Sequence, residues 1–225
     1  MQDVRWIQTR LWELGFDPGK IDGVRGPNTD AAIVEFKRSI GFQPRSYVGP
    51  LTLAALQGIP DKERATIPWM AEAARMRGIH EVRDAAKLRK WFDPLVSWFE
   101  PEDVPWCGAF VLTCYRMWDS GQIAPANPLG ARSWSQFGKS CTPRFGACMV
   151  FWRGSKSGWQ GHVGFYYAED ATHYHILGGN QSDSVSISRI AKERLLSSRW
   201  PSNYDVIGKP ILVSPDGVPV TTNEA

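Results

Sequence analysis

The sequence predicts an α+β chain in two unequal parts: a small helical N-terminal domain, then a larger domain whose helices pack on an antiparallel sheet. Three observations carry this expectation. Apolar residues recur at helical spacing through the first sixty positions. A polar run with Pro and Gly, QGIPDKERATI at 57–67, interrupts the pattern. Beyond it, helix-like segments come first and strand-like segments after, the order of an α+β domain. The 225 residues suffice for two domains at roughly 100 to 200 residues each.

In the N-terminal part, Val4, Ile7, Leu11 and Leu14 fall on one helical face, and Gly15 is a stop signal. The turn-rich Asp17-Pro18-Gly19 and Asp22-Gly23 follow. Pro27 suits the first position of a second helix, whose apolar face is Ala32, Ile33, Phe36 and Ile40, with Gly41 at its end. Gly26-Pro27-Asn28-Thr29-Asp30-Ala31-Ala32-Ile33 is echoed by Gly49-Pro50-Leu51-Thr52-Leu53-Ala54-Ala55-Leu56, which predicts a third helix and a compact three-helix domain over 1–58. Residues 59–67 are the expected linker.

The second domain, expected over 68–213, opens with helices from about Pro68 to Arg77 and from about Arg83 to Phe92. The run from Ala109 to Trp118 is almost wholly apolar and predicts a buried helix. Between Ser120 and Gly146 there is little periodicity. Strands are expected at Met149–Arg153, His162–Ala168, His173–Leu177 and Val185–Ile190, and a disordered tail at 214–225.

Charged residues at 22% and hydrophobic residues at 43% describe an ordinary globular protein. The net charge of +3 suits an anionic target but gives no case for nucleic acid. No apolar stretch approaches the roughly 18 residues of a membrane span, and the first residues do not read as a secretory signal, so the expectation is synthesis in the cytoplasm. The cysteines, Cys107, Cys114, Cys141 and Cys148, have no Cys-x-x-Cys spacing, and free thiols are expected rather than disulfides or zinc. No metal or cofactor is called for, and a monomer is the default.

Of these cysteines, Cys107 has the context of a nucleophile. Pro105-Trp106-Cys107-Gly108 places it in the first turn of the apolar helix, where the helix dipole and unbonded N–H groups favour a thiolate and could hold an oxyanion. Gly108 leaves room for substrate beside the thiol. Cys114, two turns along, fits a core residue, as do Cys141 and Cys148. A base is offered by His162 in Gly161-His162-Val163-Gly164. If the next two strands form a hairpin with the loop Asp170-Ala171-Thr172, Glu169 faces His173 and His162 faces Asn180. An Asn180 oxygen could then fix one imidazole nitrogen and leave the other for the thiol. His173 and His175 share a strand face, read as solvated rather than as a metal pair, and His80 has no visible partners.

The run LGFDPGKIDGVRGPNTDAAIVEFKRSIGF with VGPLTLAAL, covering 1–58, resembles the peptidoglycan-binding domain found at the ends of cell-wall hydrolases. It departs from that pattern at Arg45-Ser46-Tyr47, where Asp-Gly is usual before the second Gly-Pro. The ordered motifs PWCGAFV, GHVGFY and LGGNQ, within about 66–200, resemble the CHAP and NlpC-type papain-like cell-wall peptidases. In that resemblance Phe145-Gly146-Ala147 departs at Ala147, where Asp is usual.

The resemblance implies a papain-like domain with Cys107 as nucleophile, His162 as general base and Asn180 as orienting residue, and peptidoglycan as partner. Trp106, Trp134, Gly108 and Gln181 are the candidate substrate-binding residues, with core packing the favoured role of either tryptophan. The expected activity is that of an endolysin-like enzyme cutting an amide bond in the peptide part of the wall, an endopeptidase, with an N-acetylmuramoyl-L-alanine amidase as the alternative. A holin or other export route would give it access, with action on the wall after release. An inactive wall-binding protein and a peptidase acting on proteins are the readings from other classes.

Overall fold

The computed structural model describes residues 3–13, 16–40, 42–56 and 67–211. The chain divides between Arg64 and Ala65 into two compact units. The expected linker at 59–67 and tail at 214–225 lie almost wholly outside the described residues, as do Leu14, Gly15 and Gly41.

The first unit is built from α1 (Val4–Glu13), α2 (Pro27–Ser39) and α3 (Pro50–Leu56). Pro27 sits in the first turn of α2, where its missing N–H costs nothing. Ile7 and Leu11 from α1, Ala32, Ile33 and Phe36 from α2, and Leu56 from α3 make the core. Val4, on the same face, is only half-buried. One buried polar side chain organises the loop between α1 and α2. Gln8 donates to Val24 O at 3.0 Å and Thr29 Oγ1 at 3.1 Å, and accepts from the Gly23 N–H at 2.8 Å. The Asp-Gly turn is thereby fixed to α1, and its backbone polar groups are satisfied inside the domain.

The second unit packs α4 (Pro68–Arg75), α5 (Ala85–Trp91) and α6 (Cys107–Trp118) with a sheet of β1 (Lys139–Ser140), β2 (Cys148–Trp152), β3 (Gly161–Glu169), β4 (His173–Gly178), β5 (Ser186–Ala191) and β6 (Leu195–Trp200). The sheet order is β1-β6-β2-β3-β4-β5, with every described pairing antiparallel. The protein is therefore α+β with an antiparallel sheet. Helix α6 is buried from Cys107 through Tyr115 and lies against α4 and β3. An α-helix buried on all sides must be apolar all round, which is why its sequence shows no polar face. Trp69, Trp106, Trp134 and Trp200 are among the largest fully buried side chains.

Two segments escaped the sequence pattern. β6, LLSSRW, pairs with both β1 and β2 although its residues alternate poorly. The aperiodic run after Ser120 contains a 3-10 turn, Ala131–Gln136, that buries Trp134 under the sheet's β2, β3 and β6 side.

Candidate functional site

Cys107 is the first residue of α6 and Trp106 its N-cap. Trp106 offers no side-chain cap, so the first-turn amides of Cys107, Gly108 and Ala109 receive none from it. Cys107 is 5% exposed, whereas Cys114 and Cys148 are 0% exposed; of the cysteines in the core, only Cys107 reaches the surface. None of the four cysteines forms a disulfide. Burial pushes the Cys114, Cys148 and Cys141 thiols up from their ordinary range, which makes them poor nucleophiles.

Two connections bring the surroundings of Cys107 and His162 together. The first is the segment after Asn127. A Cβ on Gly108 would stand 2.1 Å from Pro128 O, and a Cβ on Gly161 would stand 3.0 Å from Arg132 Cγ and 3.5 Å from Ala131 Cβ. A few residues of chain therefore span from the neighbour of Cys107 to the neighbour of His162. This corrects the expected role of Gly108: the space beside its Cα belongs to the Pro128 carbonyl and not to substrate.

The second connection is the loop after β4. Asn180 Oδ1 accepts the Trp106 N–H at 2.9 Å, anchoring the start of α6. A Cβ on Gly179 would stand 2.3 Å from the Trp106 ring, so only glycine lets this loop approach α6. The adjacent Gln181 reaches the base candidate: its Oε1 lies 3.0 Å from His162 Nε2. Gln181 is 1% exposed and His162 1% exposed, so this bond is shielded from water.

The orientation of Gln181 is fixed by its other contacts. Its Nε2 donates towards Ser186 O at 2.6 Å, Ile176 O at 3.2 Å and Gly178 O at 3.3 Å. Carbonyl oxygens cannot donate, so the NH2 group must face them and Oε1 must face the imidazole. His162 Nε2 must then carry a hydrogen, so that in the neutral form of the ring the lone pair stands on Nδ1.

The sequence expectation placed Asn180 opposite His162. The hairpin does follow the expected register at Phe165↔Leu177 and Tyr166↔Ile176, but a bulge between Tyr166 and Ala168 shifts the pairing nearer the turn, where Glu169 faces Tyr174. β4 ends at Gly178, and Asn180 has left the ladder with φ of 55°, a left-handed conformation that Asn tolerates. The described contacts of Asn180 are thus with the helix start, and Gln181, expected to bind substrate, holds the imidazole.

Trp106 and Trp134 are both 0% exposed, which fits the core packing favoured for them over a place lining a cleft. The Trp106 indole donates to Glu81 Oε2 at 2.8 Å, and the Trp134 indole to Pro128 O at 3.0 Å, so both serve the frame that holds Cys107. Glu81 was not singled out from the sequence. It also receives Asn180 Nδ2 at 3.5 Å, a partner 99 positions away, and its segment is tied to the same loop by Glu81 N–H to Asp183 O at 2.8 Å. Nothing local to Glu81 signals this.

His175 is 0% exposed, contrary to the solvated face expected for it. Its Nε2 lies 2.8 Å from Asp170 Oδ2, which Arg189 Nε also contacts at 2.8 Å. A polar partner set inside the hairpin makes burial possible. No group of three or more metal-ligating side chains occurs among the described residues.

Residues 1–56 match the family model described as "Putative peptidoglycan binding domain". The N-terminal part of the chain is thus a peptidoglycan-binding domain, with peptidoglycan as its partner. No curated protein and no solved structure matches the chain.

Proposed function

From a wall-binding N-terminal domain joined to a domain that starts a buried helix at Cys107 and holds a buried His162–Gln181 pair, we propose that the protein is a peptidoglycan hydrolase that cuts an amide bond in the peptide part of the wall. Its nucleophile is Cys107 and its base His162, and its orienting residue is Gln181 rather than Asn180. The observation that carries the reading is the Gln181–His162 bond, whose fixed polarity leaves Nδ1 as the basic nitrogen. The order of a cysteine at a helix start, a histidine on a following strand and an amide side chain after the next strand also suits the papain-like cell-wall peptidases that the motifs resemble.

In this mechanism His162 Nδ1 takes the Cys107 thiol proton as the sulfur attacks the amide carbon. First-turn amides of α6 stabilise the oxyanion. The tetrahedral species collapses, the amine leaves with the proton from His162, and a thioester remains. His162 then deprotonates water, which attacks the thioester and releases the carboxylate, while the proton returns to sulfur. Gln181 keeps the ring in the productive tautomer through both halves. Within this reading the enzyme reaches the wall through a holin or other export route; among the described residues no helix is long and apolar enough to cross a membrane.

The test is mass spectrometry of purified peptidoglycan digested by wild type and Cys107→Ala. Wild type is expected to release fragments whose masses identify the bond, as an endopeptidase or as a muramoyl–alanine amidase, and Cys107→Ala to release none. Equal release by both, or none by either while both bind the wall, sinks the thiol mechanism.

A further inference from the structure

The hairpin loop between β2 and β3 displays Trp159, three residues before His162. That indole is 85% exposed, the largest exposure of any tryptophan in the described chain, and it makes no hydrogen bond or ring contact among the described residues. The loop that carries it is nevertheless pinned. Arg132 Nε donates to Gln160 O at 2.7 Å, and its two terminal nitrogens donate to Lys156 O at 3.0 Å and Ser155 O at 2.8 Å. Internal turns close it further, Ser155 N–H to Arg153 O at 2.8 Å and Gly158 N–H to Ser155 O at 3.2 Å. A guanidinium that satisfies three carbonyls fixes the loop backbone on both sides of the turn.

Three peptide units separate Trp159 from His162, so their Cα atoms lie within about 11 Å. The same Arg132 packs against Gly161 at the start of the His162 strand. A flat apolar face is thus held out to solvent three residues along the chain from the proposed base, on a backbone already tied by hydrogen bonds. Tryptophan combines a large stacking surface with low conformational freedom, which suits it to the apolar face of a pyranose ring.

We infer that Trp159 is a binding residue of the proposed hydrolase, a platform on which an N-acetylated sugar of the glycan strand stacks while the attached peptide reaches Cys107. The assignment rests on the peptidoglycan hydrolase reading for its substrate. Its geometric basis, a pinned loop with an exposed and unengaged indole, is independent of turnover. Arg132 is a positioning residue for the platform.

The experiment uses the full chain carrying Cys107→Ala, labelled with 5-fluorotryptophan, with Trp159→Phe in the same background assigning the Trp159 fluorine resonance. Two probes are titrated, a soluble disaccharide–peptide from peptidoglycan and the same stem peptide without sugar. The Trp159 resonance is expected to shift with the first and to stay still with the second. No shift with either, or the same shift with both, overturns the platform. In parallel, active full chain with Trp159→Ala is expected to show roughly tenfold higher KM on the disaccharide–peptide with kcat within about twofold, and Trp159→Phe to recover most of the loss. A fluorine shift without hydrolysis by the wild type would retain the platform and sink the hydrolase reading; hydrolysis without a shift would do the reverse.

Discussion

Two adjacent amides after β4 divide the labour at the site, and substitution separates them. Gln181→Leu removes the acceptor that fixes the His162 tautomer, and kcat is expected to fall by roughly 10²- to 10⁴-fold with little change in KM. Asn180→Ala instead leaves the Trp106 N–H buried without its acceptor, and about 1–3 kcal/mol of stability is expected to go with it. Denaturant melts and steady-state kinetics on both variants check the division: if Asn180→Ala abolishes turnover at undiminished stability and Gln181→Leu does not, the roles revert to the sequence expectation. That Cys107 starts an apolar helix and that His162 stands at the start of a strand were legible in the sequence, because a proline before an apolar run and a histidine after glycine ahead of β-branched and aromatic residues are local signals. Which of Asn180 and Gln181 faces the ring was not. That choice depends on β4 ending at Gly178 and on a left-handed backbone at Asn180, and neither is written in side-chain periodicity.

Among elements, the turn end of the β3–β4 hairpin carries a second polar cluster with a pH signature. Burial alone would raise the Asp170 carboxyl, but Arg189, His175 and the backbone N–H groups of Thr172 and His173 outweigh it and hold the group well below the carboxylate range. Burial holds His175 below its ordinary range, and the buried Nδ1, without a partner among the described residues, gives an added proton nothing to donate to. His173 is lowered in the same sense, by burial and then by Arg189.

The consequence for stability has a definite sign. Below the histidine reference of 6.5 the unfolded chain takes up protons that the folded hairpin refuses, so stability falls as pH drops through that value. The Asp170 contribution is present above its reference of 3.8 and is lost as pH falls further towards the folded value. Melting temperatures measured from pH 7.5 to 3 are therefore expected to decline in two stages, and His175→Gln to flatten the first. An unchanged slope between pH 6.5 and 4.5 in that variant would show that His175 does not titrate as described. Strands β2 to β5 were readable from their apolar runs, whereas β6 was not, since its burial comes from lying between β1 and β2 and not from its own alternation.

For the molecule as a whole, the division between Arg64 and Ala65 separates holding the wall from the proposed cutting of it. A tethered enzyme samples its substrate at an effective concentration set by the tether and not by bulk diffusion. Removal of residues 1–56 is expected to weaken retention on insoluble peptidoglycan by roughly 10²-fold and to leave kcat on a soluble muropeptide unchanged. Sedimentation with sacculi and a solution assay measure the two separately; a truncated chain that sediments as well as the full one would place the dominant wall contact in the second unit. In the first unit the core was legible, because Ile7, Leu11, Ile33 and Phe36 sit at helical spacing and form the core that spacing demands.

The short run from Pro128 to Arg132 touches Gly108 at one end and Gly161 at the other. It works as a calliper whose jaws are set by the number of peptide units between them. Inserting or deleting a single residue would displace the Ala131 and Arg132 side chains at Gly161 relative to the Pro128 carbonyl at Gly108. Natural variation in this stretch should therefore keep its length and keep Arg132.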